Sequence, residues 1–302
     1  MMKKLDLKDL TNYHEPAIIC LGFFDGFHLG HQKMIEELVL NSKKYNYKSV
    51  VITFLNTSLK HFKHSNQLIS LKDKLKIFQK YGVDEVLVLK NKDHIFALSA
   101  KSFINKVLLK LNTKMIVCGQ DIHFGKNQEG DLKYLQENTD YKLLIIPKLL
   151  INNQVLSSSY IRDLLTSGKI KEANELLYQP FFIYSKVIKG KQIGRTIDFK
   201  TANLKITLNS YLLKHGVYVG KVSILKKQYK AMINVGYNPT VSQEKKLKIE
   251  VHILNFNEDL YGKLIKVEFL SYLRQEIPFS SLEELKQQLI QDLSKIKQYN
   301  FS

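Results

Sequence analysis

The segment Gly22-Phe23-Phe24-Asp25-Gly26-Phe27-His28-Leu29-Gly30-His31 carries residue types that suit phosphate chemistry, set between an apolar run and an amphipathic stretch. A phosphate chain sits well at a helix N-terminus, where free N–H groups and the helix dipole favour negative charge. Gly26 and Gly30 let the backbone approach a nucleotide, because no Cβ stands in the way. His28 and His31 can donate hydrogen bonds to phosphate oxygens as charge builds on a pentavalent transition state. If an acceptor phosphate attacks the α-phosphorus in line, no covalent enzyme intermediate is needed. Catalysis then consists of positioning and electrostatic stabilisation, with a metal ion on the leaving pyrophosphate. The plainer alternative is a glycine loop with two solvated histidines; the strand–GxxDGxHxGH–helix context weighs against it.

A second cluster is Leu156-Ser157-Ser158-Ser159-Tyr160-Ile161-Arg162. Serine hydroxyls at a helix start can cap it or bind phosphate, and Arg162, one turn on, faces the same ligand. Read alone, serines before a helix are more often a simple N-cap. Glu250 stands between Ile249 and Val251 in a β-branched run, where a polar residue by default faces solvent.

The elements that position these residues follow from periodicity. Ala17–Phe23, Ser49–Phe54, Glu85–Leu89, Met115–Cys118 and Leu143–Pro147 read as strands. His31–Lys44, Leu71–Tyr81 and Ala100–Leu111 read as helices between them, and Ser158–Thr166 and Ile170–Leu177 as two more. This alternation predicts a mostly parallel, Rossmann-like sheet with helices on both faces. After Pro180 the pattern becomes strand only: Phe181–Ile188, Gly216–Ile224, Ala231–Val235, Lys248–Leu254 and Lys263–Phe269, with turn residues between. A small antiparallel β-barrel is expected, closed by a C-terminal helix over Ser281–Lys297. The boundary is expected near 178–184, giving domains 1–180 and 181–302.

The 302 residues suit two domains. There is no apolar run of about 18 residues to span a membrane, and no apolar stretch behind Met1-Met2-Lys3-Lys4 to make a signal peptide. The cytoplasm is therefore the expected compartment. Cys20 and Cys118 lie in apolar runs without ligand-like spacing and read as buried thiols. The net charge of +18 is spread along the chain rather than gathered in blocks, so nucleic-acid binding is the weaker reading of it.

The glycine–histidine segment resembles the HxGH nucleotidyltransferases, and its full length is similar to the bacterial bifunctional riboflavin kinase/FMN adenylyltransferase family. Cys118-Gly119-Gln120-Asp121-Ile122-His123-Phe124-Gly125 resembles that family's G-x-D-F-x-F-G segment, and Leu156–Arg162 its I-S-S-T-x-I-R. For adenylyl transfer the resemblance implies an ATP site of Gly22, Phe24, Asp25, Gly26, Gly30, Asp121, Ser157, Ser158 and Ser159, with His28, His31 and Arg162 catalytic. One departure is Phe54-Leu55-Asn56-Thr57-Ser58, where the family has F-x-P-H-P; His61 and His64 lie nearby.

The resemblance runs on to the C-terminus. It implies a kinase ATP loop of Gly190, Lys191, Gly194 and Arg195, magnesium ligands Thr201 and Asn203, a catalytic carboxylate at Glu250 and a flavin contact at Arg274. A hydroxyl and an amide oxygen are hard ligands suited to Mg²⁺. The implied substrates are ATP, riboflavin and FMN. Asp198 and Lys200 stand where the family has glycine and proline, which leaves open a chain that makes FAD only. An aminoacyl-tRNA synthetase would need a lysine-rich K-M-S-K-S-type loop, and the sequence has none.

Overall fold

The structure, a computed structural model, describes residues 2–55, 67–90, 94–190, 199–225, 227–237 and 247–300. Contacts between Cα atoms divide the chain into two units, Met1–Tyr160 and Ile161–Ser302.

In the first unit β1 (Lys3–Leu5), β2 (Ala17–Leu21), β3 (Lys48–Phe54), β4 (Glu85–Leu89), β5 (Thr113–Gly119) and β6 (Lys142–Ile146) form one parallel sheet in the order β1-β4-β3-β2-β5-β6. Every residue of β2 and β4 is buried, as strands covered on both faces must be. The edge strand β1 escapes sequence reading, since only Leu5 of its residues is buried and no apolar run marks it. Chain order reverses between β2 and β5, and the crevice beyond the carboxyl ends of such a pair is where open α/β sheets bind ligands. Gly22 leaves β2 at that point, and β5 ends on Gly119.

Helix α1 (Leu29–Tyr45) follows β2, and α2 (Leu71–Tyr81) follows β3. The Ser70 hydroxyl accepts from the Asp73 N–H to cap α2, and Gly82, left-handed at φ 83°, ends it. The helix expected over Ala100–Leu111 is instead α3 (Ala100–Phe103) running into a π-helical turn at Ile104–Leu108. The wider turn buries Phe103, Ile104, Val107 and Leu108 together in the core beneath β5 and β2. Then come α4 (Leu132–Asn138), a two-stranded hairpin of β7 (Leu150–Ile151) and β8 (Gln154–Val155), α5 (Ser158–Thr166) and α6 (Ile170–Leu176).

The second unit is a closed antiparallel barrel. Its strands β9 (Phe182–Ile188), β10 (Ala202–Leu204), β11 (Gly216–Ile224), β12 (Lys227–Tyr237), β13 (Leu247–Ile253) and β14 (Leu264–Arg274) close in the order β10-β13-β12-β11-β14-β9. Strand β13 alternates: Leu247, Ile249, Val251 and Ile253 are buried, while Lys248, Glu250 and His252 are half-buried. The C-terminal helix α7 (Leu282–Gln298), capped by Ser281, packs Ile296, Leu289 and Leu293 on Val217, Val219 and Met232. The units part inside α5, upstream of Pro180 where the sequence pattern changes, and α6 belongs with the barrel. There Asn174 Nδ2 donates to the Phe269 carbonyl at 2.9 Å, and its Oδ1 accepts from the Phe181 N–H at 2.8 Å.

Phe78 of α2 is fully buried, with its ring 5.3 Å from that of Phe24 and 5.7 Å from that of Phe27. Phe78→Ala is expected to cost the first unit about 3–5 kcal/mol, seen as a lower urea midpoint in a probe of that unit.

Candidate active sites

The turn between β2 and α1 is built against backbone preference. Phe24, Gly26 and Phe27 have φ of 51°, 78° and 48°. A left-handed conformation is costly for bulky residues, and here it is offset by burial. Both phenylalanine rings are fully buried on α2, and that of Phe27 also lies 5.5 Å from Tyr81. Phe24 is thus an anchor of the turn, with its ring 5.3 Å from the His31 imidazole. Asp25 is a second anchor. Its carboxylate accepts from the Leu68 and Ile69 N–H groups at 3.0 and 3.3 Å, and its carbonyl accepts from the Ser158 hydroxyl at 2.8 Å.

His28 takes the N-cap position of α1 without a side-chain cap bond, so it leaves the first-turn N–H groups unclaimed. Its ring stacks on that of His31, with centroids 3.8 Å apart and planes at 20°. A Cβ on residue 30 would lie 3.3 Å from the His28 ring, which is why Gly30 suits the stack. Both Nδ1 atoms are buried without a hydrogen-bond partner among the described residues. Burial pulls His28 down to about 4, opposed by the negative charge of Asp121. Burial also holds His31 well below its ordinary value, helped by His28 and by Lys74. Both imidazoles are neutral at pH 7, and each still has one N–H to donate.

Two cavities meet at this pair. A polar one of about 250 Å³ is lined by His28, Gly30, Asp121, Lys148, Ser157 and Ser158. An apolar one of about 310 Å³ is walled by Phe23, Phe54, Phe96, Phe103, Ile122 and Phe124, and Gly22 and Phe24 reach its lining. His31, Met34, Gly119 and Asp121 line both. The Phe23 and Phe54 rings lie 4.5 Å apart, and those of Phe54 and Phe96 5.4 Å. Lys148 Nζ stands 3.7 Å from the Asp121 carboxylate. Ser157 accepts from the Tyr160 N–H at 3.1 Å as a cap, while Ser159 is exposed and Arg162 is half-buried further along α5.

Sequence reasoning missed the aromatic wall, because its rings come from the ends of β2, β3 and β5 and from α3. The clustering of phenylalanine just after strand ends was the available signal. It also missed Lys148 and Lys74. Residues Asn56–Ser58, His61 and His64 lie outside the described residues.

On the barrel, register builds a polar row. Glu250 of β13 is paired with Asn203 of β10 on one side and Asn234 of β12 on the other. Thr201 Oγ1 lies 3.5 Å from the Glu250 carboxylate, and Lys248 Nζ lies 2.8 Å from it. Gly190 passes over this row so closely that a Cβ there would lie 2.1 Å from Asn203 Nδ2, which only glycine permits. Thr201 and Asn203 also line a cavity of about 460 Å³ with Lys200, Asp259 and Tyr261. The Lys200 carbonyl lies 2.9 Å from His252 Nδ1. Lys191, Gly194, Arg195 and Asp198 fall outside the described residues.

Arg274, which the resemblance gives to the flavin, has its guanidinium on α7. Nε and Nη2 donate to Asp292 at 2.9 and 2.7 Å, and Nη1 donates to the Gln275 carbonyl at 2.9 Å. Asp292 is fully buried, so this bidentate pair fastens α7 to the end of β14. Cys20 and Cys118 are buried free thiols, both raised by burial. Among the described residues no group of three or more His, Cys, Asp or Glu side chains could hold a metal.

Comparison with known proteins gives a match for each half. The FAD synthetase family model matches residues 10–160, and the riboflavin kinase model matches 177–300. A bifunctional riboflavin kinase/FMN adenylyltransferase of Buchnera aphidicola from Schizaphis graminum is 35% identical, covering 97% of each chain. The Bacillus subtilis protein of that name is 35% identical over 94% of this chain and 92% of its own. The Escherichia coli K12 protein is 33% identical over 92% and 91%. A crystal structure of a Streptococcus pneumoniae protein, described as a macrolide-efflux protein, superposes with a TM-score of 0.88 at 28% identity, covering 99% of this chain and all of that one. No helix among the described residues is long and apolar enough to cross a membrane. With both family models matched in order and relatives above 30% identity along nearly their whole length, this chain belongs to the bifunctional riboflavin kinase/FMN adenylyltransferase family.

Proposed function

We propose that this chain makes FAD in two ATP-dependent steps: riboflavin is phosphorylated to FMN with release of ADP, and FMN is adenylylated to FAD with release of pyrophosphate. The observation that carries the second step is the aromatic cavity opening onto the histidine pair, with His31 and Asp121 shared between it and the polar cavity. A flat flavin ring suits a cavity lined by phenylalanines, and a triphosphate suits the N-terminus of α1. The FMN phosphate would attack the α-phosphorus where the two cavities meet. His28 and His31 donate to the oxygens that gain charge, and Ser157, Ser158, Ser159 and Arg162 hold the polyphosphate. Gly22, Gly26 and Gly30 keep the backbone near the nucleotide, and Phe24 and Asp25 fix the turn from behind.

In the kinase step Glu250 accepts the proton of the riboflavin 5′-hydroxyl as its oxygen attacks the γ-phosphorus and the bond to ADP breaks. Gly190, Lys191, Gly194 and Arg195 would bind that ATP. The oxygens of Thr201 and Asn203 suit Mg²⁺, which keeps waters and phosphate oxygens for most of its shell. When bound, the ion offsets charge on the phosphates. Arg274 serves the flavin side through the chain end that it fastens to α7. Functionally the halves divide as 1–180 and 181–302, and the cytoplasm is the compartment where both substrates would be met.

Purified protein with riboflavin, ATP and Mg²⁺ should yield FMN and then FAD on chromatography. FAD formed only from supplied FMN would show an inactive barrel, and neither product under either condition would overturn the reading. His28→Ala should lower FAD formation from FMN about 100-fold or more and leave FMN formation intact. Glu250→Ala should do the reverse, and loss of both activities from either change would contradict separate sites.

A pH dependence also follows. His28 takes a proton near pH 6.5 when unfolded but only near pH 4 when folded, so the unfolded chain binds more protons between those values. His28 therefore makes stability fall as pH drops from 6.5 toward 4, by at most about 1.4 kcal/mol per pH unit. His28→Gln should flatten that slope in urea melts taken across the window.

A further inference from the structure

Helix α2 buries a lysine. Lys74 is 2% exposed, on the same helix whose Phe78 and Tyr81 carry the rings of Phe24 and Phe27. Lysine is almost never fully buried unless something holds its charge. Its Nζ donates to the Phe23 carbonyl at 2.8 Å, inside the turn that leads from β2 to the histidines. Burial brings it down to about 8, opposed by the negative charge of Asp25, so it remains an ammonium at pH 7. The segments that carry the family resemblance above do not include this position, and the two steps described above do not use it.

We propose that Lys74 is a positioning residue for adenylyl transfer: its buried ammonium clamps the Phe23 carbonyl and sets a fixed positive charge behind the histidine pair. The inference rests on the reading that His28 and His31 serve FAD formation. The clamp holds a turn in which Phe24, Gly26 and Phe27 are all left-handed, and whose relaxation would swing the start of α1. The charge works on His31. Among the described residues, the groups acting on it are His28, stacked on it, and Lys74 from α2; Asp25 acts on Lys74, and Asp121, with its partner Lys148, acts on His28. Of these, Lys74 is the buried cation, and it disfavours a proton on His31. A neutral His31 can stack on His28 without repulsion and keep one N–H for the phosphate. The same ammonium favours the negative charge that builds there during transfer without touching the substrate.

The test uses the full chain, with riboflavin phosphorylation on the barrel as internal control. Lys74→Met should lower kcat for FAD formation from FMN about tenfold to a hundredfold, leave KM for ATP within about threefold, and move the acid limb of kcat/KM to higher pH, because His31 gains proton affinity. Riboflavin phosphorylation should stay at the wild-type rate. Lys74→Gln keeps an N–H donor but no charge, so it should recover part of kcat and still show the displaced limb. Lys74→Arg keeps the charge and should restore both the limb and most of kcat. If Lys74→Met does not fold, the Gln and Arg chains decide the matter. An acid limb at the wild-type pH in the uncharged variants, or an Arg chain as impaired as the Gln chain, overturns the proposal. A wild-type chain that makes no FAD from FMN instead overturns the functional reading beneath it.

Discussion

The first unit depends on one constraint: the N-terminus of α1 must stay open at the point where the parallel sheet reverses order. A helix start leaves N–H groups without internal partners, and most helices close theirs with a side-chain cap. Here the cap position is His28, which makes no such bond, and the turn before it holds bulky residues in the left-handed region. Neither feature would persist unsupported. The support comes from α2, which takes the Phe24 and Phe27 rings, and from Asp25, whose carboxylate ties the turn to the Leu68–Ile69 backbone. Aromatic burial behind the turn is what keeps polar donors available in front of it.

The barrel solves a related problem by register rather than by strain. Alternation along β13 puts Glu250 on the outer face, and antiparallel pairing places amide side chains beside it from both neighbouring strands. A carboxylate in that setting is held by Lys248 and Thr201 without a deep pocket. Gly190 lies so close to Asn203 that no side chain could stand between them. Closure of the sheet removes its edges, so the short β10 can carry Asn203 without the support of a long apolar run.

How much of this was legible in the sequence depended on the range over which each feature acts. The strand, turn and helix around Gly22–His31 were legible because they are contiguous and their residue types are rare in that combination. Leu71–Tyr81 and Glu85–Leu89 were legible to the residue, because a cap and a left-handed glycine mark the helix and the apolar run Val86–Leu89 after Glu85 marks the strand. β10 was not, since three residues are too few to show a period. Glu250 read as a residue on an outer face, correctly as to direction, but its neighbours Asn203 and Asn234 are set by pairing that no local pattern encodes. The Arg274–Asp292 pair is of the same kind, joining a strand end to a distant helix. Lys74 was hidden most completely, because a lysine in an amphipathic helix is ordinarily solvated.

Burial explains how the two histidines would act as neutral donors in the proposed adenylyl transfer. A charged imidazole pair stacked at 3.8 Å would repel itself in a dry site, and a single charged ring would still bear the desolvation cost. Keeping both neutral avoids that conflict before the substrate arrives, and leaves the phosphates to meet donors already in place. Preorganised donors stabilise developing charge without reorganising during the reaction, which is where electrostatic catalysis gains most. In the proposed arrangement the positive charge stands one layer back, on Lys74, where the Phe23 carbonyl fixes it and burial shields it from solvent. The separation of donor from charge follows from the same packing that holds the turn: α2 supplies the rings that anchor Phe24 and Phe27, and from that face it also supplies the cation.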